Sequence, residues 1–421
     1  SLIERRAVVR ELVGREEACY LFRLWEAETY VDRRLRLMLA HRPDRAQGID
    51  AILDRIQAEQ GIAYAPAQRQ AVTLAAERGV LLLTGGPGTG KTTSVRGIVA
   101  MFDSLGMDVL LLAPTGRAAK RMSELCGREA QTIHRCLGMS FSEETGQVTF
   151  SKGEQEPLEA EAVIVDEMSM VDLPLMRALL AALRPDCRLV LVGDPDQLPS
   201  VGPGNVFGDL IRSGIVETVA LTEIFRQARQ SAIVRNAHAV NRTGRLCLDS
   251  NQGDFFFLGR RDPGRLVETV VGLCQTRLPE NMGVPRDQIQ VLCPTRRGPW
   301  GTAALNQALQ AALNPPGPGK RERVFGETVF RTGDRVMQIR NNYDVVWEKA
   351  DGTVGTGVFN GDVGQIVDIE PSGELLTLSF DDRVTTYTAD QLIELELAYA
   401  VTVHKAQGSE YRAVILAAMR C

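Results

Sequence analysis

Apolar positions along this chain recur with two periods, and the changes from one to the other mark out its elements. In the first 60 residues the spacing is helical. Leu21, Leu24 and Trp25, then Leu35, Leu37, Met38 and Leu39, sit among charges, and Ile49, Ile52, Leu53 and Ile56 repeat every three to four residues. Residues 1–60 therefore read as an N-terminal helical region, an accessory bundle packed on the α/β part of the chain. Beyond it come unbroken apolar runs of the kind a buried parallel strand needs, Val80–Leu83, Val109–Ala113, Ala162–Val165 and Leu189–Val192, and Ile289–Leu292 reads as a further strand. Val95, Ile98, Val99 and Phe102 place a helix directly after the first of them. Two stretches alternate instead. Residues 139–160 carry Phe141-Ser142, a Gly-containing turn at 143–146, and Gln147-Val148-Thr149-Phe150, which predicts a projecting β-hairpin. Residues 331–396 carry Val363, Ile366, Ile369, Leu376, Leu378, Phe380 and Tyr387 between turn signals, which predicts a small all-β barrel inserted in a second α/β core.

Composition narrows the picture only a little. The 421 residues suffice for about two to four domains. No apolar run approaches the roughly 20 residues of a membrane helix, and Ser1-Leu2-Ile3-Glu4-Arg5-Arg6 does not read as a signal peptide. Eight cysteines include no Cys-x-x-Cys pair, so neither a zinc ribbon nor a disulfide framework is expected, and a reduced cytoplasmic setting is. A net charge of −5 argues against a small basic domain that coats nucleic acid, yet leaves room for a local basic groove.

The motifs decide more. Gly85-Gly86-Pro87-Gly88-Thr89-Gly90-Lys91-Thr92 is a P-loop between a strand and a helix. Its glycines let N–H groups converge on phosphate, and the run Gly86, Pro87, Gly88, Thr89, Gly90, Lys91, Thr92, Thr93 is the expected nucleotide cradle. Lys91 is expected at the β- and γ-phosphates and Thr92 at Mg²⁺. The strand Ala162–Val165 ends in Asp166-Glu167, one carboxylate for Mg²⁺ and one to activate water. Gln68, just upstream, has the donor and acceptor pair that suits an adenine edge. Gln197, in the turn-rich loop Gly193–Gly204, is expected beside the γ-phosphate, and Arg226 is a candidate arginine finger. Pro114-Thr115-Gly116-Arg117 ends a strand in a small polar loop with a cation, suited to a nucleic-acid backbone or to an ordinary strand-to-helix turn. Cys293-Pro294-Thr295-Arg296 echoes it in the second core. His134 and His404 lack partners at metal-ligand spacing.

Taken in order, GGPGTGKTT, VGDPDQLPSVGPG, LTEIFRQ and AVTVHKAQGSEY resemble the superfamily 1 helicases, and within them the RecD-like 5′→3′ DNA helicases, over about residues 60–421. The resemblance implies an α/β fold of two RecA-like P-loop cores with parallel sheets. The first core would span 61–222, with the hairpin 139–160 as a pin. The second would span 223–330 and 397–421, with 331–396 as an SH3-like β-barrel. It implies an ATP- and Mg²⁺-dependent motor on single-stranded DNA and duplex DNA forks, with a role in repair or recombination, as a monomer or as a subunit of a larger repair complex. It further implies that Glu410 approaches the ribose, and that Thr115, His134, Thr402 and His404 line the single-strand channel. Rival readings are an RNA helicase of the Upf-like branch, a non-catalytic clamp and a nuclease. The RecD-like motifs disfavour the first, Lys91 and Glu167 the second, and the absence of a carboxylate cluster outside the nucleotide motifs the third. Two departures stand out. Asp166-Glu167-Met168-Ser169 replaces the usual Asp-Glu-Ala-Ser, and no further motif with a second arginine finger follows Val414–Ala417. The chain thus reads as a piece of a longer protein, and full ATPase activity is not expected of a chain that ends at Cys421.

Overall fold

The computed structural model describes residues 7–41, 48–142, 147–225, 230–248 and 253–419. The chain forms two compact units, Ser1–Phe257 and Leu258–Cys421. The sequence reading divides the cores at 222/223, whereas compactness keeps the segment up to Phe257 with the first unit.

The first unit is built on a six-stranded sheet in which every neighbouring pair is parallel. Its strands are β3 (Val80–Gly85), β4 (Val109–Ala113), β5 (Ala130–Thr132), β8 (Ala162–Val165), β9 (Arg188–Gly193) and β10 (Thr218–Leu221), in the order β10-β3-β9-β8-β4-β5. The apolar runs are unbroken because both faces are covered. Val80, Leu82, Val163, Val165, Leu189 and Leu191 point into one core, and Leu81, Leu83, Ile164, Val190 and Val192 into the other.

This division corrects the reading of residues 1–60. They are not a bundle of their own. Helix α1 (Phe22–Ala40) buries Ala27, Val31, Leu35 and Met38 in the first core, while α2 (Ile49–Gln60) buries Ile49, Leu53 and Ile56 in the second, on the opposite face. Nor is the region all helical. Val8–Val13 (β1) and Glu16–Leu21 (β2) pair antiparallel around a two-residue turn in which Gly14 takes φ 65°. A glycine adopts that left-handed conformation without a Cβ penalty.

Four helices complete the layers that matter for the site: α3 (Pro66–Glu77), α4 (Lys91–Ser104), α5 (Gly116–Cys126) and the single turn α6 (Ile133–Cys136). Met139–Ser142 (β6) and Gln147–Phe150 (β7) pair antiparallel, with Ser151 N on Gly138 O at 3.2 Å and Lys152 N on Leu137 O at 3.1 Å closing the base. The hairpin's strands end at Phe150, short of residue 160. In the backbone register position 141 pairs with Val148 and position 139 with Phe150. Phe150 packs on the first core and lies beside His134, with ring centroids 6.5 Å apart. The first unit continues through α7 (Leu173–Ala182) and α8 (Val206–Ser213), which cover the α1 face, and ends with α9 (Ala232–Thr243).

The second unit holds a three-stranded parallel sheet with β11 (Ile289–Cys293) between β21 (Ala400–Thr402) and β22 (Ala413–Leu416). Between β11 and β21 the chain builds a short hairpin, β12 (Glu322–Phe325) with β13 (Thr328–Arg331), and then a seven-stranded antiparallel sheet. That sheet runs from β14 (Arg335–Gln338) through β15 (Asn342–Lys349), β16 (Val354–Val358), β17 (Val363–Ile369), β18 (Leu375–Phe380) and β19 (Arg383–Thr388) to β20 (Leu395–Leu397). Its core gathers Ile366, Ile369, Leu376, Leu378, Phe380 and Tyr387, the alternating positions of the sequence. Asp334, fully buried at the entrance of this sheet, accepts from Gln310 Nε2 (2.5 Å), Asn314 Nδ2 (2.8 Å), Arg331 N (2.7 Å) and Tyr399 OH (2.9 Å).

Candidate nucleotide and nucleic-acid site

In a parallel sheet the loops at the carboxyl ends of the strands lie along one edge. Here that edge collects Gly86–Gly90 after β3, Pro114–Thr115 after β4, Asp166–Glu167 after β8 and Asp194 after β9. The phosphate loop turns through Gly88 at φ 73° and Gly90 at φ 83°, and α4 begins at Lys91. The amino end of a 14-residue helix therefore faces the loop, with the partial positive charge that favours an anion. Lys91 Nζ donates to Gly85 O, and to Gly86 O at 3.3 Å. Thr89 Oγ1 donates to Gly86 O at 2.8 Å. Gln68 is 2% exposed and bridges two elements, its Oε1 accepting from Ala65 N (3.0 Å) and its Nε2 donating to Gly90 O (3.2 Å). One donor hydrogen and one lone pair of its amide are left for a base edge.

Three carboxyls share this edge. Burial raises the Asp166 carboxyl, against the pull of the Glu167 N–H (2.8 Å), Lys91 and Arg121. Burial, reinforced by Asp166, pushes the Glu167 carboxyl up to about 7. Burial also raises Asp194, whose Oδ1 accepts from Asp196 N at 3.0 Å. Glu167 sits at φ 55°, a left-handed conformation that a residue with a Cβ adopts only under constraint. Such a set holds more negative charge than Lys91 and Arg121 offset, and its hard oxygen donors suit Mg²⁺. Among the described residues, these carboxyls included, no three His, Cys, Asp or Glu side chains converge closely enough to hold a metal ion by themselves.

The remaining first-unit candidates lie along the same edge. Thr115 caps α5, its Oγ1 accepting from Ala118 N at 3.3 Å, so the strand-to-helix turn is real, and Arg117 opens that helix. His134 is half-buried after β5, and burial lowers its pKa. Gln197 is exposed in the loop after β9, the strand next to β8. Arg226 lies outside the described residues. In the second unit Cys293 and Thr402 are direct partners at the ends of β11 and β21, so the loops 294–297 and 403–407 emerge side by side. Thr402 Oγ1 accepts from Lys405 N at 3.4 Å, and His404 and Glu410 are exposed. Lys405 and Arg296 both pair with Glu396.

Three family models match this chain: an AAA domain over residues 68–203, the ATP-dependent RecD-like DNA helicase SH3 domain over 305–380 and the UvrD-like helicase C-terminal domain over 397–421. The ATP-dependent RecD2 DNA helicase of Deinococcus radiodurans is 35% identical over 400 residues, 95% of this chain and 51% of that protein. The RecBCD enzyme subunit RecD of Mycobacterium tuberculosis is 31% identical over 438 residues, 93% of this chain and 69% of that protein. This chain belongs to the RecD-like helicase family. It spans about half the length of the first relative and about two thirds of the second. A solved Pif1 helicase from Bacteroides is a more distant likeness, with a TM-score of 0.47 and 16% identity over 84% of this chain and 86% of that one.

The sequence reading assigns no role to three residues of this site, although Asp194 and Phe225 stand within stretches that carry the resemblance. Asp194 follows β9 and is 4% exposed. Phe225, 41% exposed, donates its N–H to Gly88 O at 3.3 Å and lays its ring against Gly90 beside Gln68. His238, on α9, bonds the carbonyl of Pro87. Only Phe225 carries a local sign, as the aromatic neighbour of Arg226. Met168, in place of the family's alanine, is fully buried in the core behind the carboxyls.

Proposed function

We propose that this chain is the motor part of an ATP-dependent DNA helicase that moves 5′→3′ along single-stranded DNA and opens duplex forks, in repair or recombination. The carrying observation is the single sheet edge that brings the phosphate loop, Lys91, Asp166, Glu167 and Asp194 together. The two parallel sheets are read as RecA-like cores. Lys91 and the N–H groups of Gly86 and of Gly88 to Thr93 bind the phosphates. Thr92 and Asp166 hold Mg²⁺, which when bound offsets charge on the phosphates. Glu167, half-ionised near neutrality, takes a proton from the attacking water. Gln197 and Arg226 contact the γ-phosphate, Gln68 the adenine, with the Phe225 face beside it, and Glu410 the ribose. Pro114, Thr115, Arg117, His134, Thr402 and His404 track the DNA strand. The protein works in the cytoplasm as a monomer or within a larger repair complex.

Unwinding of duplexes with a 5′ or a 3′ single-stranded tail, with ATP and Mg²⁺, tests the reading. A 5′-tailed duplex should open and a 3′-tailed one stay closed, and Lys91→Ala should abolish both unwinding and ATP hydrolysis. Opening of the 3′-tailed duplex alone would reverse the polarity. Undiminished hydrolysis by Lys91→Ala would remove the phosphate loop from the chemistry.

A further inference from the structure

A trans peptide plane points its C=O and the following N–H in opposite directions. A loop whose N–H groups converge on phosphate must therefore have its carbonyls held on the outside. Four carbonyls of the phosphate loop have donors. Gly86 O accepts from Thr89 Oγ1 and Lys91 Nζ. Gly88 O accepts from Phe225 N, and Gly90 O from Ser94 N at 3.1 Å and Gln68 Nε2 at 3.2 Å. Pro87 O is taken by a side chain from 151 residues away: His238 Nε2 lies 3.1 Å from it.

A carbonyl can only accept, so Nε2 carries the proton and the tautomer is set. The ring comes this close because residue 86 is glycine: a Cβ there would stand 2.7 Å from His238 Cε1. His238 is itself held. The first turn of α9 is capped by Asp254, which accepts from Ser231 Oγ, from Ala232 N (2.7 Å) and from Ile233 N (3.3 Å). Further along, Asn236 exchanges two bonds with Cys247, at 3.1 and 2.8 Å.

We propose that His238 is a positioning residue of the nucleotide site: by holding the Pro87 carbonyl outward it turns the Gly88 N–H toward the phosphates of a nucleoside di- or triphosphate. The inference rests on the ATP reading above and adds to it the group that sets the loop's shape. Because the same N–H serves ADP and ATP, its loss acts on binding and not on the proton transfer at Glu167.

The test compares His238→Phe, which keeps the ring and removes the donor, with His238→Gln, whose Nε2 restores one. Binding of a fluorescent ADP analogue and steady-state ATP hydrolysis are measured on the same preparations, with amide exchange of β3 and β8 as the check on folding. His238→Phe should weaken ADP binding about three- to tenfold, the worth of one neutral hydrogen bond. The KM for ATP should rise in step and kcat should stay within about twofold, and His238→Gln should recover most of the affinity. Wild-type affinity in His238→Phe, a fall in kcat at unchanged KM, or a Gln variant as weak as the Phe variant would each overturn the proposal. Absence of nucleotide binding by the wild-type chain would instead overturn the ATP reading, and this inference with it.

Discussion

Glu167→Gln should make the first unit more stable while removing its chemistry, and the two effects come from one cause. The Glu167 carboxyl stands at about 7, against 4.5 in the ordinary case, chiefly because it is buried and then because Asp166 is beside it. A carboxyl raised on folding holds its proton better in the folded state. Its favourable contribution is complete below the ordinary glutamate value and is lost as pH rises through about 7. At about 1.4 kcal/mol per pKa unit the ceiling on that loss is about 3 kcal/mol. The side chain is largely but not fully buried, and the water that reaches it brings the expectation down to about 1–2 kcal/mol. Glutamine never ionises. The gap between variant and wild type should therefore be near zero at about pH 4.5 and open to about 1–2 kcal/mol in favour of the variant by about pH 8.

The chain has two units, so one global unfolding free energy is not defined. Amide exchange of β3, β8 and β9, compared between variant and wild type at each pH, reports the first unit alone. On the same preparations nucleotide binding should persist and hydrolysis should fall by about 10²- to 10⁴-fold, the usual worth of a general base. A stability gap that does not widen between the two pH values would refute the burial argument. Near-normal hydrolysis would remove Glu167 as the base whatever its stability.

Asp334→Ala removes the shared acceptor of four donors, of which Gln310 Nε2 and Asn314 Nδ2 keep a backbone carbonyl (Val329 O and Thr332 O), and should destabilise the second unit by about 2–4 kcal/mol, read by amide exchange of β11 and β14; a change below about 1 kcal/mol would show that water replaces the carboxylate. Replacing residues 141–149 by a short Gly-Ser turn, which spares Phe150 and its contact with His134, should leave DNA-stimulated hydrolysis largely intact and sharply reduce strand separation. Unwinding at the wild-type rate would refute the idea that the hairpin, the expected pin, parts the two strands, and joint loss of both activities would make the hairpin structural. Binding to single-stranded DNA should weaken linearly in the logarithm of salt concentration, as counterion release requires; a flat response would contradict a channel that tracks phosphates.

How much of the fold and the site is legible in the sequence depends on where each signal is encoded. A phosphate loop is a backbone device. Its glycines and its flanking strand and helix lie within about 25 consecutive residues, so Gly85–Thr92 is legible without any tertiary knowledge. The buried strands of the first unit are legible because two covered faces leave their central positions apolar. The hairpin Val8–Leu21 is not, because most of its side chains face water and no burial pattern separates it from the adjoining helix. Gly14 is its one local mark. The shape of the phosphate loop lies further still from local encoding. Its N–H groups point inward only while its carbonyls are held outward, and the holders include Gln68, Phe225 and His238. Gln68 and Phe225 stand in stretches that the sequence marks for other reasons, and His238 stands in none. A histidine in Ala237-His238-Ala239-Val240 reads as one more position on a helix, and it becomes part of the site only when α9 folds back to within 3.1 Å of Pro87. The motif therefore specifies which atoms can bind phosphate, and the fold, through residues outside it, specifies the direction in which those atoms point.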